Sequence, residues 1–217
     1  MCAAALAARA ESLAEILARM DRAAKEFKNM TADVKRLEYT YVIKDTSESS
    51  GTVRLRRGKG GLAAVMEFGE PNHYFAHLKG HKVEIFRPKA GPDGTVEEYD
   101  MGKVGKSIDQ FFLLGFGTTA AELKKEYTIA LGPTENIEGK PATRIDLEPK
   151  SAEAKKLVTK VEMWIPQNSG NPVREKVVQS SKDYSVVTYS HLQINTDIPD
   201  SAFELVMPKG VKRVRAN

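Results

Sequence analysis

Between residues 11 and 27 the apolar side chains Leu13, Ile16, Leu17, Met20, Ala24 and Phe27 recur at three-and-four spacing, which predicts one amphipathic helix with a single apolar stripe. A stripe of this kind packs against a core and is assigned no ligand. Beyond Met30 the period changes to short, β-rich runs parted by turn residues. The runs fall at 32–43, 52–57, 62–68, 73–79, 82–87 and 95–99, and the polar stretch 45–51 is read as a loop. The connections are too short for crossover helices, so an antiparallel meander is expected and parallel pairing is excluded. Two capping boxes follow, Ser107 with Gln110 and Thr119 with Glu122, each opening a short helix, the second ending near Lys125. Strands resume at 127–131, 140–147, 158–165, 173–180 and 185–195, giving about ten or eleven in all.

A sheet of that width curls, and its concave face must be filled. The expected fold is mainly β: a curled antiparallel sheet forming an incomplete barrel, with its concave face covered by the N-terminal helix and short lid helices. So few helices leave a residual apolar cavity. Alternation places Val53 and Leu55 on one face with Arg54 and Arg56 turned away, and groups Leu62, Ala64, Met66 and Phe68 opposite Glu67. Val83 and Ile85 alternate in the same way and complete the candidate lining. Phe111, Phe112, Leu113, Leu114 and Phe116, interleaved with Gly115 and Gly117, form a candidate lid; a helix that never moves would have the same sequence. Continuing the alternation sets Arg57 on the apolar side, where its guanidinium needs acceptors. Either it reaches backbone carbonyls of segment 111–117 and locks the lid, or the parity breaks at Gly58 and it is solvated.

The chain has 217 residues, 41% of them hydrophobic, enough for one domain over residues 11–217. Its formal net charge is +4, with the basic residues dispersed, which does not suggest nucleic-acid binding. No apolar run approaches the ~20 residues of a membrane-spanning helix. Residues 1–10 read as the remnant of a secretory signal with a small-x-small site at Ala5-Leu6-Ala7, or as a frayed, Ala-rich start. Cys2 is the only cysteine, so no internal disulfide forms; lipid attachment there would need an apolar leader before it. His73, His77 and His81 cluster in sequence but lack Cys or carboxylate partners at ligand spacing, and they are read as surface histidines rather than metal ligands. Neither a phosphate-cradling glycine loop nor a Gly-x-Ser-x-Gly elbow occurs. No catalytic apparatus, metal or cofactor is expected.

A series of short pieces resembles the LolA-type outer-membrane lipoprotein carrier family over residues 20–214. They are Gly51-Thr52-Val53-Arg54-Leu55-Arg56-Arg57, Glu70-Pro71, Gly80-His81-Lys82-Val83-Glu84-Ile85-Phe86-Arg87-Pro88, Leu147-Glu148-Pro149-Lys150, Ile194-Asn195-Thr196-Asp197-Ile198-Pro199, Phe203 and Pro208-Lys209-Gly210-Val211. The resemblance implies an eleven-stranded half-barrel closed by helices and a monomeric periplasmic carrier without enzymatic activity. Such a carrier takes lipoprotein acyl chains from an inner-membrane transporter and passes them to an outer-membrane acceptor. It also implies that Arg57 locks the lid. Where the family continues with Pro-Asn and a Trp-containing strand, this chain has Gly58-Lys59-Gly60-Gly61 and no tryptophan before Trp164. The cargo could therefore be another lipid, a glycolipid or precursor, or the scaffold could sense mislocalised lipoproteins.

Overall fold

A computed structural model describes residues 11–58, 61–70, 73–80, 82–100 and 114–215. The predicted N-terminal helix forms as α1 (Leu13–Glu26), its start fixed by a reciprocal capping box between Ser12 and Glu15. It buries Ile16, Leu17, Met20 and Ala24, the stripe read from the sequence.

The strands are β1 (Asn29–Thr40), β2 (Asp45–Gly58), β3 (Gly61–Phe68), β4 (Tyr74–Lys79), β5 (Lys82–Arg87) and β6 (Thr95–Asp100), then β7 (Tyr127–Ile137), β8 (Lys140–Pro149), β9 (Val158–Pro166), β10 (Arg174–Gln179), β11 (Tyr184–Ile194) and β12 (Lys212–Arg215). Two short helices intervene, α2 (Ala120–Glu126) and α3 (Ala152–Leu157), and a 3-10 turn spans Asp200–Phe203. One open sheet takes the order β12-β6-β5-β4-β3-β2-β1-β11-β10-β9-β8-β7. The fold is the expected open, curled half-barrel with helices. The second capping box is present, with Thr119 and Glu122 bonding reciprocally at the start of α2. The first box, at Ser107, lies outside the described residues, as do residues 1–10, Cys2 and His81.

Three expectations need correction. Residues 45–51 are not a loop: β2 starts at Asp45 and pairs with β1 rung by rung from Thr40↔Asp45 onwards. These residues run past the neighbouring strand β3, whose ladder with β2 ends at Gly51↔Phe68. One flank is therefore solvated, and polar side chains suffice to hold a strand that the backbone ladder already fixes.

Among the described residues the strands number twelve rather than ten or eleven, and one pair is parallel. β12 runs parallel to β6, with Lys212↔Thr95 and Arg215↔Glu98 in register. The rule against parallel pairing holds only for strands joined by short turns, whereas β12 arrives after a long strap, residues 195–211, that crosses the outer face of β2–β5. The helix α3 was also missed, although Ser151 caps it by accepting from the Ala154 N–H.

Under the strap lies the third correction. His77 is not a surface histidine: only 13% of its side chain is exposed. Its Nε2 is 3.0 Å from the Phe203 carbonyl oxygen and its Nδ1 is 3.3 Å from Glu84 Oε2. Phe203 is buried, and the Arg56 guanidinium stacks on its ring 4.3 Å from the centroid while pairing with Asp200. Burial alone would raise the Glu84 carboxyl, but hydrogen bonds from Arg213 and His77 outweigh it and its pKa falls below the usual carboxylate value. The strap thus covers the convex face as the helices cover the concave one.

Candidate functional site

Register decides which side chains meet on the concave face. Cross-strand partners share a face, so the rungs Val53↔Met66↔Ala76↔Ile85 and Leu55↔Ala64↔Leu78↔Val83 run unbroken over β2–β5. All eight predicted lining residues fall into one apolar cluster: Val53, Leu55, Leu62, Ala64, Phe68 and Val83 are buried, and Met66 and Ile85 pack against them half-buried. The sequence reading missed Phe27, Met30, Ala32, Val34 and Leu78, which belong to the same cluster. Alternation along β1 and β4 would have found the last four.

A second cluster sits over β7–β9, where α1 and α2 bring Ile16, Met20 and Leu123 onto Ile145, Leu147 and Met163. Segment 114–117 joins the two. Leu114 belongs to the helix-covered cluster and Phe116 to the strand-lined one, and both are fully buried. The intervening glycines let this segment lie close. Gly115 has φ +83 and a Cβ there would meet Met163 at 2.4 Å, while Gly117 has φ +69 and a Cβ would meet the Phe27 ring at 2.8 Å. The candidate lid is thus a plug over the middle of the concave face. Its remaining predicted members, Phe111, Phe112 and Leu113, lie outside the described residues.

Beneath the plug is a polar pair that sequence reasoning did not identify. The Glu175 carboxyl on β10 accepts a 3.1 Å hydrogen bond from the Tyr189 hydroxyl, and the Tyr189 ring meets Phe116 edge-on at 5.2 Å. Glu175 Oε1 is buried with no hydrogen-bond partner. Burial pushes the Glu175 carboxyl up to about 8, against a small opposing effect of the Tyr189 hydrogen bond. Burial likewise raises the Tyr189 phenol, reinforced by the neighbouring Glu175. At neutral pH the carboxyl is therefore protonated and can donate a hydrogen bond in an otherwise apolar setting. A single Glu within an alternating strand carries no signal of this.

The concave face is polar at one end. Arg36 donates to the Tyr74 hydroxyl at 2.6 Å and stacks on Phe68, Arg87 stacks on Tyr74, and Arg87 pairs with Glu97 at 3.7 Å. Arg57 stands at the other end. Its parity with Leu55 holds, Arg57↔Leu62 being the next rung but one, but the strand has reached the rim and the side chain is exposed. Its charge helps to lower the Glu122 carboxyl in the first turn of α2, after the larger effects of the Thr119 hydrogen bonds. Among the described residues its guanidinium makes no hydrogen bond to segment 114–117. Of the two readings of Arg57 the exposed one is observed, although its rung partner Leu62 is buried.

No cluster of metal-ligating side chains occurs among the described residues, and no helix there is long and apolar enough to cross a membrane.

No family model matches the chain, and no curated protein matches it in sequence. Its relatives are found by shape. An uncharacterised conserved protein from Thermus thermophilus is 12% identical, with 95% of this chain and 100% of that one covered at a TM-score of 0.58. MucB is 11% identical over 89% of this chain at a TM-score of 0.53, and the match spans 62% of MucB, a longer protein; the Pseudomonas aeruginosa protein has also been solved in complex with MucA. A LolA superfamily protein from Nitrosomonas europaea, NE2245, is 15% identical over 90% of this chain and 99% of that one, with a TM-score of 0.40. The chain therefore shares its open half-barrel fold with the Thermus protein and with MucB, among structural neighbours that also include a LolA superfamily member.

Proposed function

We propose that this protein is a periplasmic carrier that holds the acyl chains of a lipoprotein, or of another lipid, on the concave face beneath segment 114–117. The observation that carries the reading is the continuous apolar concave face of β2–β5. The lining residues of its rungs form one cluster with Phe116 of the plug, while Leu114 of the same segment packs into the cluster over β7–β9. Burying such side chains contributes about 1.5–3 kcal/mol each, whereas an acyl chain of ~16 carbons gains on the order of ten. An incoming chain can thus displace the plug, and the plug's return offsets part of the gain and assists release.

The protein acts by binding and release, without a chemical step. By the same family resemblance its donor is an inner-membrane transporter and its acceptor an outer-membrane protein, and it works as a monomer. The protonated Glu175 carboxyl, exposed once Phe116 leaves, is placed to donate to an ester or amide carbonyl of the cargo. The test is fluorescence titration of delipidated protein with an environment-sensitive fatty-acid probe, followed by competition with a triacylated lipopeptide. Saturable binding that the lipopeptide displaces is expected; no saturable binding refutes the reading and leaves the plug as permanent core.

A further inference from the structure

The β1–β2 hairpin runs past β3 on one side, while on the other β1 stays paired with β11 as far as Tyr39↔Tyr184. The β2–β3 ladder stops at Gly51, so residues 45–50 and their β1 partners stand beyond it. The hairpin is therefore open on its β3 flank and paired on its β11 flank. At its tip are Tyr41, Val42 and Ile43, with Val42 83% exposed and Ile43 68% exposed. Such side chains at a turn, where polar residues and glycine would serve the backbone better, are unexplained by folding.

The tip is held firmly. The Tyr41 N–H donates to Asp183 Oδ1 at 2.7 Å, which ties it to the turn between β10 and β11, and Lys182 lies over the Tyr41 ring at 4.8 Å. That turn is in turn bound to the end of α3, since Ser180 donates from its N–H to the Leu157 carbonyl and from its hydroxyl to the Lys156 carbonyl. Leu157 is exposed as well. The apolar tip is therefore flanked by Lys44, Lys182, Lys155 and Lys156. Of the carboxylates alongside, Asp183 is engaged by Tyr41 and Ser181 and Glu153 by Lys156, which leaves Asp45.

We infer that this end of the molecule docks on an anionic lipid surface, with Val42 and Ile43 entering the acyl boundary and the lysines meeting headgroup phosphates. The pattern is that of interfacial anchors: a few aliphatic side chains, a tyrosine at headgroup depth and cations beside them. Strand addition by a second copy is disfavoured, because the open flank of the tip carries Asp45 and Glu48. The same end holds the polar mouth of the concave face, with Arg36, Tyr74 and Arg87, so docking would turn that mouth toward the bilayer. The inference is independent of the cargo.

The test is co-sedimentation of the full chain with vesicles of phosphatidylethanolamine and phosphatidylglycerol, against neutral phosphatidylcholine vesicles. Binding to the anionic vesicles is expected to weaken at high salt, and to fall at least about tenfold in a Val42→Ser/Ile43→Ser variant. Thermal melting should be unchanged, because both side chains are exposed. In a Cys2→Ser background, Ile43→Cys carrying an environment-sensitive dye should shift to the blue on vesicle addition. A wild type that ignores anionic vesicles, or a double variant that binds them equally well, overturns the inference. The first of these outcomes would assign the tip to a protein partner. Acyl-probe titration of the same samples reports cargo binding separately, so either reading can fail alone.

Discussion

Replacing Glu175 by Gln isolates a carboxyl that burial holds protonated near neutral pH. In the folded protein this group titrates at about 8, against an ordinary value of 4.5. Between these pH values the native state keeps a proton that the unfolded chain has lost, so stability must fall as pH rises through that window. It is flat below 4.5 and flat again above 8 as far as this group is concerned. At about 1.36 kcal/mol per unit the full effect is no more than about 5 kcal/mol. Gln keeps the shape and the acceptor for Tyr189 and has nothing to ionise. The stability of Glu175→Gln relative to wild type should therefore climb steadily from pH 4.5 to pH 8. The assay is urea unfolding of both proteins at several pH values, since the difference cancels every other titrating group. Even about 2 kcal/mol would separate the melting temperatures by roughly 4–8 °C at about pH 8. A difference that does not change with pH would refute the burial argument and show that water reaches the carboxyl.

Phe116→Ala should destabilise the protein by about 3–5 kcal/mol, as for other large buried aromatics, yet bind the acyl probe more tightly because the plug competes less; equal or weaker probe affinity in the folded variant counts against displacement. Phe203→Ala should cost a similar amount in a urea titration, because its ring is held between the outer sheet face and Arg56, and it should loosen the strap, seen as faster amide exchange in β12. Thr119→Ala should lose about 1 kcal/mol by removing the cap of α2, with Thr119→Ser restoring most of it in the same titration.

Local physics carried most of the fold into the sequence. The stripe of α1 and the boundaries of β5 and β9 follow from side-chain period, and the α2 start follows from a capping box whose two hydrogen bonds both span three residues. The eight lining residues were legible for the same reason: alternation fixes the face of each strand, and a half-buried sheet needs its apolar faces together. Tertiary structure alone decided the rest. Residues 45–50 are strand because β1 supplies the ladder, and polar side chains carry no record of that. His77 is covered and β12 is parallel because a strap from far along the chain returns over the outer face. Arg57 is exposed although it keeps the parity of Leu55 and pairs with the buried Leu62, because it stands at the rim, one residue before the end of β2. Glu175 is protonated because strands β10 and β11, the plug and Tyr189 enclose it, and desolvation depends on everything packed around a group, not on its sequence neighbours.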